Sequence, residues 1–85
     1  MKSIWKTNYE NNDIKIINSW FNGEKLFVNN VLQDERMGFF SSNLTGHVRN
    51  ARNEKEIIKV SLFGWFKIDC KLFINDQNIE VTKEK

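Results

Sequence analysis

Proline is absent from these 85 residues, and the chain holds one cysteine, one histidine and four glycines. Without proline, tight turns must be made by Asn, Asp and Gly, the other residues that tolerate left-handed backbone. A single cysteine, Cys70, cannot close an intramolecular disulfide, so the fold does not depend on an oxidising compartment. One histidine with no second His and no paired Cys cannot supply the three or four ligands of a transition-metal site. The glycines are scattered singly, which excludes a phosphate-cradling glycine loop. No apolar run approaches the ~20 residues needed to cross a bilayer as a helix. The opening MKSIWKTNYENN has no apolar secretory core, and the expected location is the cytoplasm.

Charge of one sign is lacking too. Thirteen Lys and Arg against eleven Asp and Glu give a net charge of +2, without the lopsided count of a nucleic-acid-binding domain. What is present is apolar and aromatic: 40% hydrophobic residues with three Trp, one Tyr and seven Phe. Disordered chains are poor in these residues. The length predicts one domain spanning residues 1–85, with a thin core, because a chain this short buries only roughly 60–65% of its unfolded surface.

The clearest pattern is in residues 56–79. Ile58, Val60 and Leu62 alternate with polar positions, Gly64 interrupts, and Phe66, Ile68, Cys70, Leu72 and Ile74 resume the alternation around Lys67, Asp69 and Lys71. A period of two places successive side chains on opposite faces of a strand. Two long core strands are therefore expected here, with one dry face and one wet face. Upstream, residues 14–21 and 24–28 flank Asn22-Gly23, a strong hairpin signal, and Asn29-Asn30 marks the next turn. Residues 3–7 read as a short edge strand, with a loose terminus as the alternative. Val31 and Leu32 start a further strand, residues 36–40 suggest one with a bulge at Gly38, and residues 41–43 read as loop. Residues 44–49 form a weaker strand with Gly46 as a bend, and residues 50–55 a polar connection of one helical turn at most. Residues 75–78 form a last turn, residues 79–81 a short strand and residues 82–85 a charged tail. Six to eight short strands with frequent turns predict an all-β fold, a small antiparallel sandwich or barrel.

Catalytic groups are sparse. His47 with Asp34 or Glu35 is the one pairing that offers acid–base chemistry, and its plain reading is a solvent-facing residue beside a polar turn. Asp13 reads the same way. Cys70, in phase with core residues, reads as a small hydrophobe. Ser41-Ser42 lacks the flanking glycines of a nucleophile elbow. Asn43-Leu44-Thr45 matches the N-glycosylation pattern by chance. No catalytic residue, metal or cofactor is expected, and the chain does not read as an enzyme.

The surface feature to weigh is the second face of the long strands, where Phe63, Trp65 and Phe73 fall in phase with Lys59, Lys67 and Lys71. Packing of Trp65 and Phe73 inside a second layer is the plainest account, with lysine stems covering apolar surface. A protein or homodimer contact comes next, since such interfaces favour aromatic residues. Single-stranded nucleic acid or a small ligand stacked on the aromatics comes last: Asp69 sits in the middle, and the cold-shock and RRM motifs are missing.

Two stretches resemble the β-sandwich domains of the Fas apoptosis inhibitory molecule family. These are the Trp20-Phe21-Asn22-Gly23-Glu24-Lys25-Leu26 hairpin and Leu72-Phe73-Ile74-Asn75-Asp76-Gln77-Asn78-Ile79. The family carries two tandem domains where this chain has room for one. The resemblance implies a sandwich without catalytic apparatus and no particular role in cell death. The sequence thus predicts a non-catalytic, self-associating interaction module, with a barrel binding a small ligand or single-stranded nucleic acid as the alternative.

Overall fold

The computed structural model describes residues 2–19, 22–37, 41–64 and 67–84, the side chains of Ser41 and Ser42 excepted. Within them nine strands are formed: β1 Lys2–Tyr9, β2 Asn12–Ser19, β3 Gly23–Val28, β4 Val31–Arg36, β5 Ser41–Arg49, β6 Lys55–Phe63, β7 Asp69–Ile74, β8 Gln77–Ile79 and β9 Thr82–Lys83. They make two antiparallel sheets, ordered β4-β3-β2-β1-β9 and β5-β6-β7-β8. The chain is the expected all-β sandwich. No described helix is long and apolar enough to cross a membrane.

The two sheets face each other through the apolar positions of their alternating strands. Trp5, Ile14, Ile16, Leu26 and Val28 line the first sheet, and Leu44, Val48, Ile58, Val60, Leu62, Leu72 and Ile74 the second. Each fully buried Leu or Ile contributes about 1.5–3 kcal/mol. Ile68 and Cys70 pack half-buried against this core.

Three hairpins close with two central residues at positive φ: Glu10-Asn11, Asn29-Asn30 and Asn75-Asp76. That pair of left-handed residues matches the right-handed twist of the flanking strands. The Asn22-Gly23 hairpin is different from expectation. Ser19 pairs with Gly23, so Gly23 is the first residue of β3 and not the centre of a two-residue turn. Its φ is +80, and a Cβ there would lie 2.4 Å from the carbonyl oxygen of Arg36. Trp20 and Phe21 lie outside the described residues.

Several local expectations are corrected. Residues 41–43 are strand, since Ser41, Ser42 and Asn43 pair with Phe63, Leu62 and Ser61. Gly46 does not bend β5, whose register with β6 is unbroken. Residues 50–55 contain a turn and no helix before β6 begins at Lys55. The strand expected to start at Phe66 is formed over Asp69–Ile74; Lys67 and Ile68 precede it without strand pairing, and Phe66 lies outside the described residues. Gln77 and Asn78 belong to β8 rather than to a turn, and Val81 to no strand. The first strand is not an outer edge along its whole length: Trp5 and Lys6 pair with Lys83 and Thr82, part of the expected tail. Asp13, Asp34 and Glu35 lie on strands β2 and β4, not in loops. The strand expected over residues 36–40 includes Arg36, the end of β4, while residues 38–40 lie outside the described residues.

One long side of the sandwich is sewn shut by side chains. The register of β4 on β3 shifts between Leu26 and Phe27, so that Leu26 faces Asp34 and Phe27 faces Leu32. Gln33 is the extra residue, and its Oε1 accepts the His47 backbone N–H at 3.0 Å. Asp34 Oδ2 accepts the Thr45 N–H at 2.9 Å. Asn12 Nδ2 donates to the Arg49 carbonyl at 2.8 Å. Backbone groups on the free edge of β5 are thereby taken by the other sheet. Gly46 lies between the two capped residues: a Cβ would meet Gln33 Oε1 at 2.9 Å, so its lack of a side chain admits the glutamine.

Candidate functional site

The alternation of β6 and β7 that buries Ile58, Val60, Leu62, Leu72 and Ile74 turns Lys59, Ser61, Phe63, Lys71 and Phe73 outward. Register aligns them across strands. Lys59 lies opposite Phe73, flanked by Thr45 on β5 and Asn78 on β8. Lys71 pairs with Ser61, itself beside Asn43, and Phe63 pairs with Asp69. Phe63 and Phe73 are half-buried and the lysines exposed. A shallow depression of about 270 Å³ sits over the central row, lined by Asn43, Thr45, Lys59, Ser61 and Phe73. Lys59 Nζ stands 3.7 Å from Asp76 Oδ1, both strongly exposed, a pair worth about 0–1 kcal/mol.

Four of the six expected site residues, Lys59, Phe63, Lys71 and Phe73, therefore share the outer face of one sheet. Lys67 is exposed in the connection before β7 and not on a strand face. Trp65 lies outside the described residues. Ile57, exposed beside His47, extends the face towards β5 in a way that the lysine–aromatic pattern did not suggest.

Of the groups weighed for chemistry, the Asp34 carboxylate is hydrogen-bonded to backbone and Cys70 packs against the core. Asp34 spends one oxygen on the Glu35 N–H and the other on the Thr45 N–H. His47 is exposed. Burial, helped by the neighbouring Asp69 charge, pushes the Cys70 thiol up to about 12, far from a reactive thiolate. Among the described residues no three His, Cys, Asp or Glu side chains are grouped to hold a metal ion.

A polar cluster at one end of the sandwich escaped the sequence reading. Glu56 is buried, and its oxygens accept the Tyr9 hydroxyl and, at 2.7 Å, Asn50 Nδ2. Asn50 Oδ1 in turn accepts the N–H groups of Arg52 and Glu54, and Glu10 Oε1 accepts the Ala51 N–H. The hydrogen bonds from Tyr9 and Asn50 hold the Glu56 carboxyl below the usual carboxylate range against the opposing effect of burial. The same bond, together with burial, raises the Tyr9 hydroxyl above its ordinary value. The signal was available: Glu56 keeps the inward phase of Ile58, Val60 and Leu62. A charged residue on the dry parity of a strand demands partners. These bonds tie the β1–β2 turn to the β5–β6 connection.

Comparison with protein-family models, with curated proteins and with solved structures finds no match to the chain.

Proposed function

We propose that this chain is a non-catalytic β-sandwich interaction module that self-associates through the outer face of its second sheet. The supporting observation is the row Thr45, Lys59, Phe73 and Asn78, with a half-buried ring at the floor of a shallow depression. Phe63 and Ile57 extend the apolar area, and Lys71 beside Asp69 gives opposite charges on one face. A two-fold contact needs a patch that complements itself, and alternating charge around rings provides that. Lys67, exposed just before β7, is part of this proposal, and so is Trp65, two positions earlier in the sequence.

Sedimentation velocity from micromolar to millimolar concentration tests it. The wild-type chain is expected to gain mass with concentration, and Phe73→Ser with Lys59→Glu to weaken association at least tenfold, about 1.4 kcal/mol. A wild-type chain that stays monomeric throughout rejects the reading.

The same row supports a second reading: a ring beside an ammonium suits a nucleobase or a small anionic aromatic ligand. Against it, the Asp76 carboxylate stands beside Lys59 and the depression falls short of the ~300–1,000 Å³ of ordinary ligand pockets. Salt-sensitive quenching of tryptophan fluorescence by an oligonucleotide would favour this reading over self-association. The likeness to Fas apoptosis inhibitory molecule domains lends weight to the sandwich alone and assigns no process.

A further inference from the structure

The edge of β1 is occupied by a remarkably small element for its length. β9 has two residues, both exposed, against the eight of β1. Its seat is nonetheless specific. Trp5 pairs with Lys83 and Lys6 with Thr82, and the Glu84 N–H donates to the Ile4 carbonyl at 2.8 Å. Lys6 Nζ stands 3.6 Å from Glu84 Oε2, and Lys83 Nζ lies 5.9 Å from the centre of the Trp5 ring. Side chains as well as backbone are read at this edge.

β1 continues as strand to Tyr9. In an antiparallel ladder the backbone groups of alternate residues face the same neighbour. Because Ile4 faces β9, Lys6 and Asn8 do too. Among the described residues no strand pairs with residues 7–9 on that side. Thr7, Asn8 and Tyr9 carry neither the lysine nor the proline that blunts exposed edges. An open concavity of about 550 Å³ reaches this edge from across the sheet, lined by Lys6, Thr7 and Asn8 of β1, Asp13, Ile14 and Lys15 of β2, Asn30, Thr82 and Glu84. On the opposite side of the sandwich, side chains of Asn12, Gln33 and Asp34 cap backbone groups of β5.

We infer that the free edge of β1 docks an extended segment of a partner protein as an added antiparallel strand, and that β9 is the chain's own short occupant of that site. The partner segment is longer than β9 and reaches Tyr9. It carries a basic side chain opposite Trp5, an acidic one against Lys6 and β-branched residues opposite Thr7 and Tyr9. Ladder bonds supply affinity and the alternate side chains supply choice, as in strand addition generally. Length is the reason a partner prevails: β9 is tethered but pairs with two residues, whereas the incoming strand pairs with six. This edge belongs to the first sheet, so its failure as a docking site leaves the outer face of the second sheet untouched, and the reverse.

The probe is a capped six-residue peptide, Val-Thr-Val-Thr-Lys-Glu, designed to lie opposite residues 4–9. It is titrated into the isotope-labelled chain while backbone amides are followed by NMR. Saturable shifts are expected along β1 and not along β5, β6 or β7. Thr82→Pro removes an N–H from the chain's own occupant, and that variant is expected to bind the peptide at least tenfold more tightly than wild type. If Thr82→Pro does not fold, Glu84→Lys, which sets like charge against Lys6, takes its place in the same comparison. Equal affinity for wild type and variant, equal binding of a scrambled peptide, or no saturable shift along β1 overturns the inference. So does a wild-type dimer that is lost in Thr82→Pro, because the occupant is then the tail of a second copy.

Discussion

At the scale of single residues, the fold leans on positions where only one side chain fits. Gly23 combines φ +80 with an approach to the Arg36 backbone that leaves no room for a Cβ. Gly23→Ala is therefore expected to cost at least about 1–2 kcal/mol from the backbone conformation, with the displacement of β4 added. A urea midpoint lowered at unchanged slope checks this. Glu56 and Tyr9 each make stability depend on pH. Since the Glu56 pKa is lowered in the folded chain, its stabilising contribution is present above the ordinary value of 4.5 and is lost as pH falls below it. The Tyr9 pKa is raised, so its contribution holds below 10.0 and is lost as pH rises past that value. Thermal melts against pH should show a plateau with both limbs falling. Glu56→Gln, with no charge to lose, should flatten the acid limb while lowering the plateau.

At the scale of elements, the turns decide which strands were legible. Asn29-Asn30 and Asn75-Asp76 announce themselves, because Asn and Asp accept left-handed backbone. Glu10 does not, and its turn is braced locally and from afar: Asn12 Nδ2 donates to the Tyr9 and Glu10 carbonyls while the Glu10 carboxylate accepts the distant Ala51 N–H. Placing glycine at the second position of such a turn relieves the left-handed cost. Asn30→Gly is expected to stabilise by about 0.5–1 kcal/mol, read as a higher denaturation midpoint. Residues 41–43 and Thr82–Lys83 were missed for a common reason. Their local sequence is polar, and their strand character comes from pairing with β6 and β1. The outward face of β6 and β7 was legible because parity survives within each strand. It failed at Lys67, which precedes β7 and belongs to no strand.

At the scale of the whole molecule, the two sides of the sandwich differ. One is closed by the Gln33, Asp34 and Asn12 side chains, the other ends in the short strands β8 and β9. Asp34→Ala uncovers the Thr45 N–H at an exposed position where water replaces the lost acceptor. The expected cost is only about 0.5–1.5 kcal/mol, visible in a denaturation midpoint. The greater effect is expected on solubility, since an uncapped edge invites pairing between chains. Light scattering after prolonged warming should rise in Asp34→Ala and not in Asp69→Ala, whose carboxylate lies away from that edge. None of this seam is visible to a reading that moves along the chain, because each of its bonds joins residues eleven or more positions apart.

The hydrogen bond between Glu84 and Ile4 brings the last described strand to rest against the first. The described backbone thus returns to its first strand, and the order in which its strands are connected can be tested. Joining the two ends through a short flexible linker and reopening the polypeptide between Asn29 and Asn30 should yield a rewired protein with the same pair of sheets. Its far-ultraviolet circular dichroism should overlay that of the parent, and a permutant that fails to fold would mean that β1 and β9 must first meet as free ends.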